Sequence, residues 1–216
     1  MKKLIVLLTI TVFSRFVTFA SNANYEHRIA ICGALSTEET WKVEASYHYM
    51  LSSYFGIGAS LGHWSQFQGE HYLSGNGWHI DEEDEKVANF YICPSIHIET
   101  PSLIKTNTSR MVLFIEPGCQ ISTPIENVCI KEFGNTNTYN YKYIKGKNSN
   151  FLDLQIKACI ALRIKSSCEI AIGYTYSTLD IYSTRRRLKY KGCQIGNDYP
   201  AAEKMHEVLL SFCIMF

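Results

Sequence analysis

Proline is scarce in this chain, with five among 216 residues, and no low-complexity segment divides the sequence. The chain is therefore predicted to form one domain without a linker. Its net charge is +1, so no overall field favours nucleic acid as a partner. After residue 23, no apolar run approaches the roughly 20 residues that a membrane-spanning helix needs. If the chain spans a membrane, it must do so as a closed β-barrel, because only helices and closed barrels satisfy every backbone polar group in lipid.

Residues 1–23 have the pattern of a secretory signal peptide. A positively charged start precedes an apolar run over residues 4–13, and small residues follow at Ala20 and Ala23. Cleavage is expected after one of these two alanines. A membrane anchor is the alternative, but the run is shorter than the roughly 20 residues of a spanning helix. Residues 24–216 are then the exported domain.

Apolar and polar side chains alternate with a period of two along most of that domain. A β-strand places successive side chains on opposite faces, so each alternating segment predicts a strand with one apolar face. Membrane barrels favour an even number of strands. About eight such segments occur, around residues 26–32, 41–49, 55–62, 88–98, 110–118, 152–163, 169–176 and 207–216. The predicted fold is all-β, a transmembrane up-and-down antiparallel barrel.

The predicted connections alternate in length. Tight turns are expected at Met50–Tyr54 and Lys165–Ser167, and an intermediate connection at Glu99–Ser109. The long, polar connections cover residues 66–85, 122–150 and 179–203. Short turns at one end and long loops at the other are typical of outer-membrane barrels, whose long loops are extracellular.

Alternation alone does not say which face points outward, since a lipocalin-like soluble barrel would enclose its apolar face. Volume favours the membrane arrangement, because an eight-stranded interior has room only for its own side chains. The apolar face carries large residues, and the other face carries many small ones. Aromatic girdles are expected at Tyr47, Tyr49, Phe55 and Phe216 near the short turns, and at Trp41, Tyr174 and Tyr176 near the long loops. Pro94 and Pro117 fall inside predicted strands, where we expect bulges or shifted strand boundaries.

Three segments carry a family resemblance. The stretch from Glu44 to Gly62, the stretch from Leu113 to Gly118 and the final strand ending at Phe216 resemble small eight-stranded outer-membrane β-barrels of Gram-negative bacteria, the OmpA/OmpX-like class of the porin family. The resemblance implies a place in the outer membrane of the cell envelope, among its lipids and lipopolysaccharide. It also implies insertion by the barrel-assembly machinery, for which Phe216 is the expected signal. It implies no catalytic residue and no cofactor.

Charges of both signs fall on the predicted inward face. Buried charges must be paired, so we interpret them as a structural ion-pair network that fills the lumen. The alternative is a narrow conduit for protons, small ions or solutes, although water-filled porins need about sixteen strands. The predicted network contains Glu26, Arg28, Lys42, Glu44, Arg110, Glu116, Asp153, Lys157, Arg163, Glu169 and Glu207.

Two charged clusters lie in the predicted loops. His71, His79 and the acidic run 81–85 share one loop, but their spacing does not match an EF-hand, so no metal site is predicted. The basic run 185–191 could contact lipopolysaccharide phosphates or the acidic loop, or could be a solvated charge run.

All eight cysteines lie in the exported part, where disulfides can form. Cys129 and Cys193 are on long loops and are the predicted bridge. The other cysteines fall on strands: Cys32, Cys93, Cys159 and Cys213 face inward, and Cys119 and Cys168 face outward. No Cys-x-x-Cys or zinc-like spacing occurs, which disfavours a redox or metal centre.

Three classes of function remain. The leading one is an integral outer-membrane protein with a structural or surface-interaction role, in which the loops bind an extracellular ligand. A narrow channel is the alternative. A lipid-A-modifying enzyme is a weaker hypothesis, because His63 and Ser65 are expected near the outer membrane interface but no acid is predicted on the same face. The chain is therefore not expected to be an enzyme.

Overall fold

A computed structural model describes residues 26–69, 74–134, 138–147, 151–164, 167–194, 196, 199–201 and 204–216. The side chains of Glu83, Lys147 and Cys193 are outside this description. The predicted signal peptide and its cleavage sites, at residues 1–23, also lie outside it.

Fifteen strands follow one another in the described residues. They are β1 (His27–Ser36), β2 (Thr40–Ser52), β3 (Phe55–Gln66), β4 (Ser74–Gly75), β5 (Trp78–Ile80), β6 (Ala88–Glu99), β7 (Ile104–Lys105), β8 (Ser109–Ser122), β9 (Ile125–Phe133), β10 (Tyr139–Lys147), β11 (Leu152–Ile164), β12 (Cys168–Ser177), β13 (Lys189–Tyr190), β14 (Cys193–Gln194) and β15 (Met205–Met215). Short 3-10 turns occupy Glu82–Asp84 and Arg185–Arg187. Among the described residues, no helix has the length and apolar character needed to cross a membrane.

Eight of these strands form a closed barrel. β1, β2, β3, β6, β8, β11, β12 and β15 each pair antiparallel with the next. The last strand returns to the first, with Ile29 opposite Ile214 and Ile31 opposite Phe212. Closure leaves the barrel without a free edge. The predicted up-and-down barrel of about eight strands is confirmed.

The barrel is apolar outside and polar inside. Along β11, Asp153, Gln155, Lys157 and Arg163 are buried, while the alternate aliphatic residues, such as Leu154, are exposed. The same pattern on the other strands leaves a belt of exposed Ile, Leu, Val and Phe side chains around the wall. An apolar belt of this kind around a charged interior needs lipid as its surroundings. A lipocalin-like soluble barrel would have the opposite arrangement.

Aromatic residues mark both ends of the belt. We call the end with both described chain termini and the Ser53–Tyr54 turn the lower end, and the opposite end the upper end. At the lower end the His27 ring stacks on Phe216 at 5.2 Å and lies 5.6 Å from Tyr49. At the upper end the His63 ring lies 4.4 Å from Phe90 and 5.4 Å from Trp41. These positions agree with the predicted girdles.

The two strand prolines are accommodated without bulges, which corrects our expectation. Pro94 keeps register with Ala59 of β3, and Pro117 keeps register with Ile156 of β11. The β6–β8 ladder instead skips pairs beside each proline, and its recorded pairs are Tyr91↔Ser122, Ile92↔Ile121, Ser95↔Gly118, Ile98↔Ile115 and Glu99↔Phe114. A proline has no N–H to donate, so the loss of hydrogen bonding is concentrated at one seam while the alternation of faces is preserved.

The three long connections at the upper end are folded, which the sequence did not predict. We call the described residues of 67–87, 123–151 and 178–204 the loop cap. The loop cap contains a four-stranded sheet in the order β10-β9-β5-β4 and the β13–β14 hairpin. It has its own apolar core, formed by Ile80, Val87, Val128, Ile130, Leu179, Ile181, Tyr182, Leu188, Tyr190 and Tyr199 together with the barrel residues Trp64, Tyr91, Cys93 and Met205.

Candidate functional sites: the lumen and the loop cap

The lower half of the lumen is held by arginine–carboxylate pairs. Arg28 on β1 donates to both carboxylate oxygens of Glu169 on β12, at 2.7 and 3.1 Å. Arg163 on β11 donates from Nε to Glu169 at 2.6 Å and from Nη1 to Glu99 at 2.6 Å. All four side chains are buried, so each charge depends on its partners for stabilisation.

A histidine lies in the middle of this network. His97 places Nδ1 2.8 Å from Glu116 Oε1 and Nε2 3.4 Å from Glu99 Oε2. The imidazole thus bridges two carboxylates that belong to different strands, Glu99 of β6 and Glu116 of β8. The predicted charge network lacks His97 and Glu99. Both residues continue the inward alternation of β6, which is a signal that could locate them, but Glu99 falls in the predicted connection Glu99–Ser109.

The upper half of the lumen contains two lysines. Lys157 Nζ lies 2.6 Å from Glu44 Oε1 and 3.1 Å from Glu116 Oε2. The hydroxyl of Tyr91 donates to the other Glu44 oxygen at 2.7 Å. Gly62 allows this approach, because a Cβ there would lie only 2.1 Å from the Tyr91 ring.

Lys42 completes the network near the upper end. It forms an ion pair with Glu207 and donates to Gln155 Oε1 at 3.3 Å. The ion pairs and hydrogen bonds thus form one group at the upper end and a second group that extends from Tyr91 down to Arg28. Both groups cross the lumen between strands that are not neighbours, which ties opposite walls together.

The remaining predicted lumen residues differ in position. Asp153 is buried near the upper end of β11, and Arg110 is partly buried at the lower end of β8. Glu26 was wrongly assigned to the lumen, because it precedes β1 and is exposed. The alternation that places Arg28 inward does not continue before β1 begins at His27.

Apolar side chains fill the rest of the lumen. One buried cluster contains Cys32, Ala34, Val112, Phe114, Cys159, Ala161, Ala171 and Leu209. The Arg28 guanidinium lies 5.5 Å from the centre of the Phe114 ring, which joins this cluster to the ion pairs. The interior thus combines charge pairs with small and aromatic residues, as the volume argument predicted.

The loop cap is fastened to the upper end of the barrel by buried polar contacts. The Gln66 amide, at the end of β3, donates to the Tyr182 hydroxyl at 2.7 Å and accepts from the Val87 N–H at 3.0 Å. Trp64 and Met205 contribute to the apolar core from the barrel side. The cap core is therefore continuous with the mouth of the barrel.

Much of the basic run 185–191 is used inside the loop cap. Arg185 is almost fully buried, pairs with Glu126 at 2.7 Å and donates to the carbonyls of Glu85 and Lys86 at 2.9 Å. Arg186 pairs with Asp180 and donates to the Pro200 carbonyl at 2.6 Å. These two arginines have a structural role, while Arg187 and Lys189 are exposed.

At the rim of the cap, the Glu132 carboxylate accepts hydrogen bonds from three side chains. Lys191 and Lys142 lie 2.7 and 2.9 Å from its oxygens, and the Tyr190 hydroxyl donates to it. Hydrogen bonds from Lys191, Tyr190 and Lys142 lower the pKa of Glu132 to about 2. The carboxylate is therefore ionised at neutral pH and joins the β9–β10 hairpin to the β13–β14 hairpin.

The acidic loop also serves the cap. Asp81 pairs with Lys131 at 2.8 Å, and Asp84 accepts the Cys129 backbone N–H at 2.6 Å. His71 lies outside the described residues, and His79 is buried against Phe133. Over the described part of the chain, no three His, Cys, Asp or Glu side chains form a group that could hold a metal ion.

The cysteines have the predicted orientation on the strands. Cys32, Cys93, Cys159 and Cys213 are buried thiols, and Cys119 and Cys168 are partly exposed. Cys129 is a buried thiol in β9. Because the side chain of Cys193 is outside the description, the Cys129–Cys193 bridge stays a prediction.

His63 and Ser65, the two residues considered for catalysis, make different contacts. The His63 ring lies among Phe90 and Trp41, and its Nδ1 is buried without a hydrogen-bond partner among the described residues. Ser65 donates to the backbone carbonyl of Gln66 at 3.2 Å.

Matches to known proteins are found among solved structures and not among family models or curated sequences. No protein-family model matches the chain, and no curated protein does. Among solved structures, the N-terminal β-barrel domain of OprF from Pseudomonas aeruginosa is 10% identical, with a TM-score of 0.41 over 88% of this chain and 96% of that one. Neisserial surface protein A is 7% identical, with a TM-score of 0.42 over 88% and 96%. The outer membrane enzyme PagL is 9% identical, with a TM-score of 0.42 over 88% and 99%. The predicted fold, a closed antiparallel barrel of eight strands, is confirmed by the strand pairing of the chain itself.

Proposed function

We propose that this chain is an integral outer-membrane protein with a structural or surface-interaction role. It acts through its folded outer surface and as a structural component of the membrane, not as a pore. One observation carries the proposal: the loop cap has an apolar core that is continuous with the mouth of the barrel. Below it, ion pairs such as Lys157–Glu44 and Arg163–Glu99 cross the lumen. Solute would have to displace both.

A position in the outer membrane implies what the protein contacts there. The exposed belt contacts outer-membrane lipids, and the loop cap faces the lipopolysaccharide layer and any extracellular ligand. The barrel-assembly machinery inserts the chain, with Phe216 as the predicted signal. The proposal contains no catalytic step and no cofactor.

The decisive experiment is conductance of the purified, folded protein in planar lipid bilayers. We expect no stable open state of porin size, because the lumen of eight strands is already occupied by its own side chains. A heat-denatured sample is the control for leaks caused by detergent. Reproducible large channels from the folded sample alone would overturn the proposal.

A narrow proton path is the second candidate, and His97 is the observation that favours it. Its two nitrogens bridge Glu99 and Glu116, which continue to Arg163 and to Lys157. In the same bilayers this path would give a small, proton-selective current that His97→Leu abolishes. If no such current is observed, the proton path is ruled out and the surface role is retained.

A further inference from the structure

The outer wall of the barrel has an apolar groove near its upper end. Its volume is about 630 Å³, and it crosses β2, β3, β6 and β8. Two adjacent cross-strand rows of outward side chains line it. The first row runs through Ala45, Leu61, Ile92 and Ile121, and the second through Val43, His63 and Phe90.

The groove follows from side-chain size along these rows. Ala45 is the smallest member of its row and stands directly opposite Leu61. Leu61, Phe90 and Ile92 are larger, and each is at least half exposed. An alanine between larger neighbours leaves a depression that the wall itself does not fill.

The groove also borders the β6–β8 seam, which has the fewest recorded residue pairs in the barrel. Ile92 and Ile121 are the last regular pair before the β6–β8 ladder skips residues at Pro94. An apolar molecule that contacts both β6 and β8 from outside would partly compensate for the hydrogen bonds that are missing between these strands.

A polar atom lies at the upper edge of the same groove. His63 Nδ1 is buried without a hydrogen-bond partner among the described residues, and the loop residues Thr123 and Pro124 border the groove beyond it. The lining is therefore apolar along the wall and polar where the wall meets the loop cap.

We propose that this groove is a fixed binding site for one acyl chain of a lipid in the leaflet next to the loop cap. The occupant follows from position, since the groove is continuous with the belt of exposed apolar residues, and hydrocarbon is the medium around that belt. The chain would lie along Leu61 and Ile92, and its ester or headgroup would reach the level of His63. The inference rests on the membrane placement in the proposed function but not on whether the lumen conducts.

Few interactions are available to make this groove prefer one lipid over another. Lipid tails are as apolar as the lining, so exclusion of water from the groove contributes nothing between one lipid and the next. Selectivity must come from close contacts along the depression and from a polar group that satisfies His63. The site should therefore show as slow exchange of a single lipid, not as very tight binding.

Native mass spectrometry of the folded, delipidated barrel tests this proposal, with dipalmitoyl phosphatidylethanolamine as the probe. Ala45→Trp fills the depression. Ala158→Trp is the matched control, because Ala158 faces outward on β11 and does not line the groove. We expect one retained lipid on the wild type and the control, and retention about ten-fold lower in Ala45→Trp, since the dispersion contacts are lost. Heat-modifiable gel migration checks that each variant is folded.

Other outcomes are equally informative. Equal retention in all three proteins, or several lipids lost together, would mean ordinary boundary lipid and would overturn the proposal. A lipid-free wild-type dimer that Ala45→Trp dissociates would assign the groove to a second copy of the chain. If Ala45→Trp does not fold, Leu61→Ala replaces it, with Leu154→Ala as its control, and the same loss is expected. Channel activity would overturn the proposed function and leave this site standing.

Discussion

Arg163 in the lumen and Ile130 in the loop cap are both almost inaccessible, yet their surroundings have little in common. Arg163 is held by two carboxylates, and Ile130 by aliphatic and aromatic side chains. The difference follows from what lies outside each region. The barrel exposes its apolar side chains to lipid and keeps its charges within, while the cap faces water and keeps its apolar side chains within. One chain thus builds two cores of opposite composition.

The two cores should fail in different ways. A buried charge that loses its partner stays buried and uncompensated, so the damage from one substitution is large. An apolar core loses the contacts of the deleted atoms and keeps the rest. Three experiments, in order of expected effect, test this contrast.

Glu169→Leu should be the most damaging, because Arg28 and Arg163 would both lose a carboxylate. Breaking a buried pair costs about 3–5 kcal/mol. The free energy of unfolding is measured by urea titration of the barrel in detergent micelles, with gel migration as the readout. Glu26→Leu, at an exposed acid, is the control. Equal midpoints for the two variants would mean that the lumen pairs contribute little.

Ile130→Ala should loosen the loop cap and leave the barrel intact. The side chain is fully buried in the cap core, and such a truncation costs about 2–5 kcal/mol. Hydrogen exchange should accelerate in β5, β9 and β10 but not in β11 or β12. Asn140→Ala, at an exposed position of the same hairpin, is the matched variant. Faster exchange throughout the barrel would show that the two cores are one cooperative unit.

Acid should produce the smallest effect, at the rim of the cap. The pKa of Glu132 is lowered to about 2 from an ordinary 4.5, so its stabilising contribution is complete above about pH 4.5 and is lost as the pH falls toward 2. Lys142 and Lys191 are more than half exposed, and solvent screens their pairing. Exchange of the β9–β10 hairpin, corrected for the intrinsic rate, should rise over this interval in the wild type. An identical rise in Glu132→Gln would assign the transition to another group.

The contrast also explains what the sequence could predict. A period of two is a local property, so it located all eight barrel strands and the inward position of Arg28, Glu44 and Lys157. The partner of each charge is not local: Arg28 and Glu169 are 141 positions apart. Strand order can suggest such pairs, but only the closed barrel selects them.

The loop cap was missed for a related reason. Its core brings Ile80, Ile130 and Leu188 together from three connections, none of which has enough apolar residues to suggest a core by itself. In β9 the buried residues Val128, Cys129 and Ile130 are consecutive, which obscures the alternation. The repeat Tyr139, Tyr141, Tyr143 was a usable strand signal, since these residues share one face of β10.

The position of Met205 couples the core of the loop cap to the closure of the barrel. Met205 belongs to the cap core and begins β15, the strand that closes the barrel against β1. Until β15 has docked, the cap lacks one of its fully buried side chains, and Leu188 and Ile130 are left under an incomplete cover. A barrel arrested one strand short would therefore leave apolar side chains of the cap core exposed at its upper end. Complete packing of the cap thus requires that the barrel beneath it is closed.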